Sequence, residues 1–259
     1  MISFSIPLPQ LQVFFFIFLR VGAILMTMPI FKSKSVPVLF KAGLALAASM
    51  VLFPILNLKV FPELTNVISF GIGAIGEILL GITIGLAVNL VFAGIQLAGQ
   101  LAGYQMGMAL ANVMDPNSSI QIPILAQFNQ MFALLIFLTV NAHHWFLRAL
   151  ADSYRLVPPF GFQVSNSLME LIVQLAGSMF VIGLKIGAPI IAVLLLTSIA
   201  FGLIARTVPQ MNVFFVAMPL KIFIGLLFLG FSLPFLSSFL KQLFRGLGET
   251  IFLILKAVM

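Results

Sequence analysis

Residues 67–102 carry one charged side chain, Glu77, in an otherwise uncharged and mostly apolar run. As one straight helix this run would measure about 54 Å at about 1.5 Å per residue, against a bilayer core of about 30 Å. A second run of similar length, 168–205, holds only Glu170 and Lys185. Segments this long and this apolar are read as helices, because strands rarely exceed ten residues. Further runs cover about 10–31, 38–57, 124–150 and 211–240, and a shorter segment, "ETIFLILKAVM", closes the sequence. The breaks between them, such as "FKSKSVP" and "LVPPFGFQVSNS", have turn chemistry. The expected fold is all-α: a polytopic helical-hairpin membrane protein with about six long hydrophobic helices.

Composition agrees. Charged residues make up 7% of the chain and hydrophobic ones 62%, with a mean hydropathy of +1.23, whereas ordinary soluble domains are roughly 25% charged. A soluble fold is excluded, and a lipid bilayer is the expected surrounding. Cysteine is absent, which rules out disulfides, thiolate metal sites and thiol catalysis. The net charge of +7 comes from Lys and Arg scattered singly between apolar runs, so nucleic acid is not an expected partner. The first residues carry no basic region and no small-residue cleavage site, which predicts a retained first span. The positive-inside rule gives opposed votes. Lys32, Lys34 and Lys41 place one loop in the cytoplasm, and six spans then put Lys241, Arg245 and Lys256 on the other side. Part of the chain is therefore expected to depart from conventional spanning.

Arg20, Glu77, Lys185 and Lys221 fall well inside apolar runs, where each costs on the order of 2.5–3.5 kcal/mol on insertion scales. Six acids cannot neutralise thirteen bases, which predicts that some partner acids belong to another subunit. Snorkelling to an interface is the alternative for Arg20 and Lys221. In "GLKIGAPII", Gly183, Gly187 and Pro189 predict a broken or kinked helix with Lys185 at its weak point. Gly81 and Gly85, then Gly99, Gly103 and Gly107, recur at four-residue spacing and allow helices to approach closely, within the chain or between chains. The pair His143–His144 reads as helix-end packing in preference to a metal site, since adjacent histidines diverge on a helix and no H-E-x-x-H pattern occurs.

The stretch "GYQMGMALANVMDPNSSIQIP", residues 103–123, is too broken for a span and too apolar for an exposed loop. Met106, Met108 and Met114 supply adaptable apolar side chains, and Gly103 and Gly107 allow sharp backbone changes. Asp115 and Pro116 read as a turn or cap leading to the next span. Such a segment is expected to be buried in protein or to line a passage. No nucleophile, base and orienting group can be assembled, and neither an intramembrane aspartate pair nor a Gly-x-Ser-x-Gly elbow occurs, so an enzyme is not expected. No cofactor is expected either. A secondary transporter with its site near Lys185 and Pro189 is a competing reading.

Four segments together resemble the FliR family, a subunit of the bacterial flagellar type III export gate: "RVGAILMTMPIFKSKSVPVLFKAGLALA", "AGQLAGYQMGMALANVMDPNSSIQIPILAQF", "LTVNAHHWFLRAL" and "AFGLIARTVPQMNVFFVAMPLKIFIGL". The Q-M-G … D-P and R-x-x-P-Q-x-N … P-x-K elements are specific in combination. Ala142 stands where the family usually has glycine. The resemblance implies a single copy assembled with P-type and Q-type subunits into a closed cone above the membrane plane, the entry pore for unfolded flagellar export substrates. FlhB-like and FlhA-like export components are further partners it implies, at the inner membrane of the flagellar basal body. It implies a fold like a P-type subunit, about 1–167, fused to a Q-type hairpin, about 168–259. Within this reading Met106, Gly107, Met108, Leu110, Val113, Met114, Asp115 and Pro116 are expected to form or support a closed-state plug, because the loop is flexible, apolar and Met-rich where a simple linker should be polar; the resemblance implies that Lys221 meets an acid of a neighbouring subunit, and Lys185, Glu77 and Arg206 are further charges expected at subunit interfaces. Injectisomes of virulence systems use a homologous subunit and are the alternative within the family.

Overall fold

A computed structural model of the chain describes residues 8–31, 36–56, 67–108, 124–208 and 212–258. Among these residues there are eight helices and no strand: α1 Leu8–Thr27, α2 Val38–Leu56, α3 Val67–Gln105, α4 Ile124–Thr139, α5 Ala142–Leu156, α6 Asn166–Thr207, α7 Val213–Arg245 and α8 Leu247–Val258. Five candidate spans are long and apolar enough to cross a membrane, the last running on through α7 and α8, or up to six if α4 and α5 are counted as one broken span. The all-α expectation with about six long apolar helices is met. With 39 and 42 residues, α3 and α6 run about 58 and 63 Å, well beyond a bilayer core.

Two breaks fall differently from the sequence reading. The run 124–150 is interrupted at Asn141, which takes the left-handed conformation (φ 56°) immediately before α5. Asparagine is among the few non-glycine residues that tolerate this region. Conversely, α6 is continuous through Gly183, Gly187 and Pro189, so the expected break does not occur. The two glycines serve packing instead. A Cβ on Gly183 would lie 3.0 Å from Leu97 and 3.1 Å from the carbonyl oxygen of Gly94, and one on Gly187 would lie 3.8 Å from Ala98. Helix α3 lies against this stretch and supports it. The remaining ends follow local chemistry. Val157 is extended (φ −119°, ψ 92°) because Pro158 follows it, and the Ser165 hydroxyl accepts a bond from the Leu168 N–H at 3.1 Å, capping α6.

The chain folds into two compact units that interleave in sequence. The first comprises Met1–Asn89, Asn141–Leu175 and Arg245–Met259; the second comprises Leu90–Val140 and Ala176–Phe244.

In the first unit α1 buries Val13, Phe16, Ile17, Arg20, Val21, Ile24 and Leu25, the spacing of one helix face. Phe16 packs edge-on to Phe160 at 4.9 Å between centroids. Helices α5 and α8 lie together, burying Phe146 and Leu150 from one and Ile251 and Leu255 from the other. Gly81 and Gly85 of α3 face Ala23 and Thr27 of α1. In the second unit Gly99 of α3 meets the backbone of Ala126 in α4, where a Cβ would come within 2.6 Å. Phe92, Phe137 and Phe244 form a ring cluster with centroids 5.2–5.8 Å apart. Gly81, Gly85 and Gly99 thus all meet partners within the chain.

Candidate functional site

Helix α3 ends where the Met-rich stretch begins. Gly107 takes φ 81°, the Met108 N–H donates to the Gly103 carbonyl at 3.1 Å, and the Gly107 N–H donates to the Tyr104 carbonyl at 3.0 Å. This is a Schellman terminus, with glycine at the position that needs a left-handed backbone. Gly107 therefore makes the sharp turn expected of it, whereas Gly103 stays helical.

Just before the turn, Met106 is 0% exposed and sits in a cluster with Ala102, Leu125, Ile190, Leu194 and Leu229; Met108 and Ile222 pack against its edge. Gly225 of α7 is the floor of that seat, since any Cβ there would strike the Sδ, Cγ and Cε of Met106. Met218, two turns earlier on α7, lies close to Gly107, its Cε 3.8 Å from where a Cβ would stand. Among the described residues, then, the stretch starts from a fixed root: Met106 is an anchor within the second unit. Leu110, Val113, Met114, Asp115 and Pro116 lie outside the described residues.

The charges separate into two kinds. Arg20 and Glu77, 1% and 2% exposed, face each other inside the first unit. The Nε and Nη2 of Arg20 donate to the two carboxylate oxygens of Glu77 at 2.5 and 3.0 Å. Its Nη1 donates to the Ser153 hydroxyl at 3.1 Å and to the Val157 carbonyl at 3.0 Å, and the Tyr154 ring lies 4.0 Å from the guanidinium carbon. One fork thereby ties α1, α3 and the end of α5 together, with its charge matched and four of its five N–H donors bonded. Arg20 does not snorkel, and the carboxylate of Glu77, expected at a subunit interface, is taken up within its own chain. Ser153 and Tyr154 went unnoticed in the sequence. Their signal was the helical spacing of Phe146, Leu150 and Ser153, which puts a hydroxyl on the buried face of α5.

Lys185, Lys221 and Arg206 are the second kind. Lys185 and Arg206 are exposed on α6 and Lys221 is half-buried on α7. None of them forms an ion pair among the described residues. Lys185 stands beside the exposed Val181 and Leu184. Lys221 lies one turn from Gly225 and beside Met218 and Ile222, next to the seat of Met106. The two histidines start α5, with rings 4.3 Å apart, and the described residues contain no group of three His, Cys, Asp or Glu side chains placed to hold a metal.

Residues 11–247 match the family model described as bacterial export proteins, family 1. The chain is 35% identical over 239 residues to the flagellar biosynthetic protein FliR of Escherichia coli K12, covering 92% of this chain and 90% of that protein. It is 33% identical over 231 residues to the protein of the same name from Pectobacterium carotovorum, 89% of this chain and 88% of that one. With the Bacillus subtilis protein, also named FliR, it shares 32% identity over 243 residues, 92% of each.

Proposed function

Because the chain belongs to the bacterial export proteins, family 1, we propose that it is a non-enzymatic core subunit of the flagellar type III export gate. It assembles in the inner membrane with P-type and Q-type subunits around the pore through which unfolded flagellar proteins leave the cytoplasm. FlhB-like and FlhA-like components adjoin it there. The observation that carries this reading is the set of unpaired cations on long apolar helices. A lysine such as Lys185, exposed among leucines and valines on α6, is costly in lipid and is accommodated by an acidic group on a neighbouring subunit. The similarity to FliR proteins over some nine-tenths of the chain supports the flagellar system in preference to an injectisome. The continuity of α6 weighs against a transporter whose site lies at a broken helix near Lys185 and Pro189.

Lys221→Glu is expected to abolish co-purification with the P-type and Q-type subunits and to leave cells non-motile. Retained co-purification would show that Lys221 meets no subunit acid.

In the same reading the segment after Met108 forms part of the closed-state plug, held at its root by the Met106 seat. Removing 109–114 while sparing Met106 and Met108 leaves the root in place. This variant should assemble normally and raise ion leakage across the inner membrane. An assembled variant with a tight membrane would mean that the segment does not seal.

A further inference from the structure

Helices α5 and α8 differ from the rest of the chain. Each buries one apolar face, yet carries charges on the other: Arg148, Asp152 and Arg155 on α5, Glu249 and Lys256 on α8. Exposed apolar side chains stand beside those charges, among them Leu147 (53% exposed) and Phe252 (53% exposed). A helix such as α5, amphipathic and of low net hydrophobicity, belongs at the boundary between headgroups and acyl chains, and α8 packs directly on it.

A cleft with about 110 Å³ of open space runs between the two. One wall is Trp145, Arg148 and Asp152; Gly248 and Phe252 form the other, and Leu255 lies at the base. Trp145 leans over Gly248 so closely that a Cβ there would come within 2.9 Å of its ring. The guanidinium carbon of Arg148 is 5.5 Å from the indole centroid, and Arg148 has no acidic partner among the described residues. Asp152 has only a loose contact with Arg155, 3.9 Å across side chains 43% and 79% exposed, a pair of the kind that contributes little.

We infer that this cleft binds the headgroup of a phosphoethanolamine lipid. The guanidinium of Arg148 takes the phosphate as charge-assisted donor. The carboxylate of Asp152, four residues on and so on the same side of the helix, accepts from the primary ammonium. Trp145 sits at headgroup level, as tryptophans do at membrane boundaries, and the exposed Phe252 meets the start of the acyl chains. Other headgroups satisfy the site less well. A choline has no N–H to give Asp152, and a phosphoglycerol offers that carboxylate only neutral hydroxyl donors in place of an ammonium. The inference goes beyond the export reading and does not rest on it, since it requires only that the chain sits in a membrane.

Trp145 is the only tryptophan in the chain, so its fluorescence reports on the cleft alone. The full chain is placed in phosphatidylcholine vesicles doped with brominated phosphatidylethanolamine, phosphatidylcholine or phosphatidylglycerol at equal mole fraction. Quenching should favour the ethanolamine lipid by about tenfold in apparent affinity, the size of one charge-assisted hydrogen bond. Asp152→Asn should remove that preference, and Arg148→Gln should weaken quenching by both the ethanolamine and the glycerol lipid. Equal quenching by all three lipids with the unaltered chain would overturn the inference, leaving a surface that merely touches lipid. Absence of quenching would overturn it as well, placing the cleft away from the bilayer. Both outcomes are read on the wild-type protein and do not depend on whether a variant folds.

Discussion

Arg20→Leu should lower the stability of the first unit by about 3–5 kcal/mol, the usual consequence of removing one partner from a buried ion pair. The carboxylate of Glu77, 2% exposed, would lose both of its guanidinium bonds. The Val157 carbonyl and the Ser153 hydroxyl would lose a donor at the same time. Replacing both charges is a different experiment. Arg20→Leu with Glu77→Met leaves no buried charge, and well-packed apolar residues in place of a buried pair are often neutral or stabilising. The double variant should therefore recover most of the loss. Resistance to denaturant or proteolysis in detergent distinguishes the cases: a single variant as stable as the parent, or a double variant no better than the single, would show that the pair is not what holds α1, α3 and α5 together.

Met106→Ala should cost about 2–5 kcal/mol, as large-to-small changes in packed cores do. Met106 is 0% exposed and shares one cluster with Leu125 of α4, Ile190 and Leu194 of α6 and Leu229 of α7. Gly225→Val attacks the same contact from the other side, since its side chain would occupy the space of Met106; overpacking of this sort costs about 1–3 kcal/mol. Combined, the two changes should lose less than the sum of the singles, because the valine partly fills the space the methionine vacates. Strict additivity in thermal denaturation of the purified chain would mean that Met106 and Gly225 do not share a seat. The outcome also bears on the plug: removing 106–114 in full would take out this core anchor, so only a deletion beginning after Met108 separates sealing from folding.

Much of the architecture was legible from apolar run lengths alone. Bounds near 67–102 and 168–205 anticipate α3 at Val67–Gln105 and α6 at Asn166–Thr207, because backbone groups in an apolar surrounding must be bonded within the segment. The glycines were recognisable as close-approach positions, but not their partners. Gly81 and Gly85 meet α1, Gly99 meets α4 and Gly183 meets α3, and a four-residue spacing says only that something small is needed on one face. Nor could the break be located. Gly183, Gly187 and Pro189 have stronger breaker chemistry than Asn141, yet α6 runs on and the chain turns at Asn141. Packing against α3 outweighs local propensity in the first case and leaves it to act in the second.

Composition and the order of residues by themselves determined an all-helical membrane protein without thiol chemistry, carrying more cations than its acids can match, and a Met-Gly stretch unsuited to water. Those properties are sums over local segments, and each segment reports its own. Only the tertiary structure decided which charges are matched. Arg20 and Glu77 stand 57 residues apart and meet within 3.0 Å, while Lys185, Lys221 and Arg206 have no acid among the described residues. It likewise decided that Met106 is held against Gly225, over a hundred residues away along the chain, and that Phe160 takes a left-handed backbone (φ 72°) beside Phe16 and Gly73. The reason is the same throughout: a buried charge or a glycine seat is defined by what lies opposite, and helix packing, not sequence distance, brings the opposite side near.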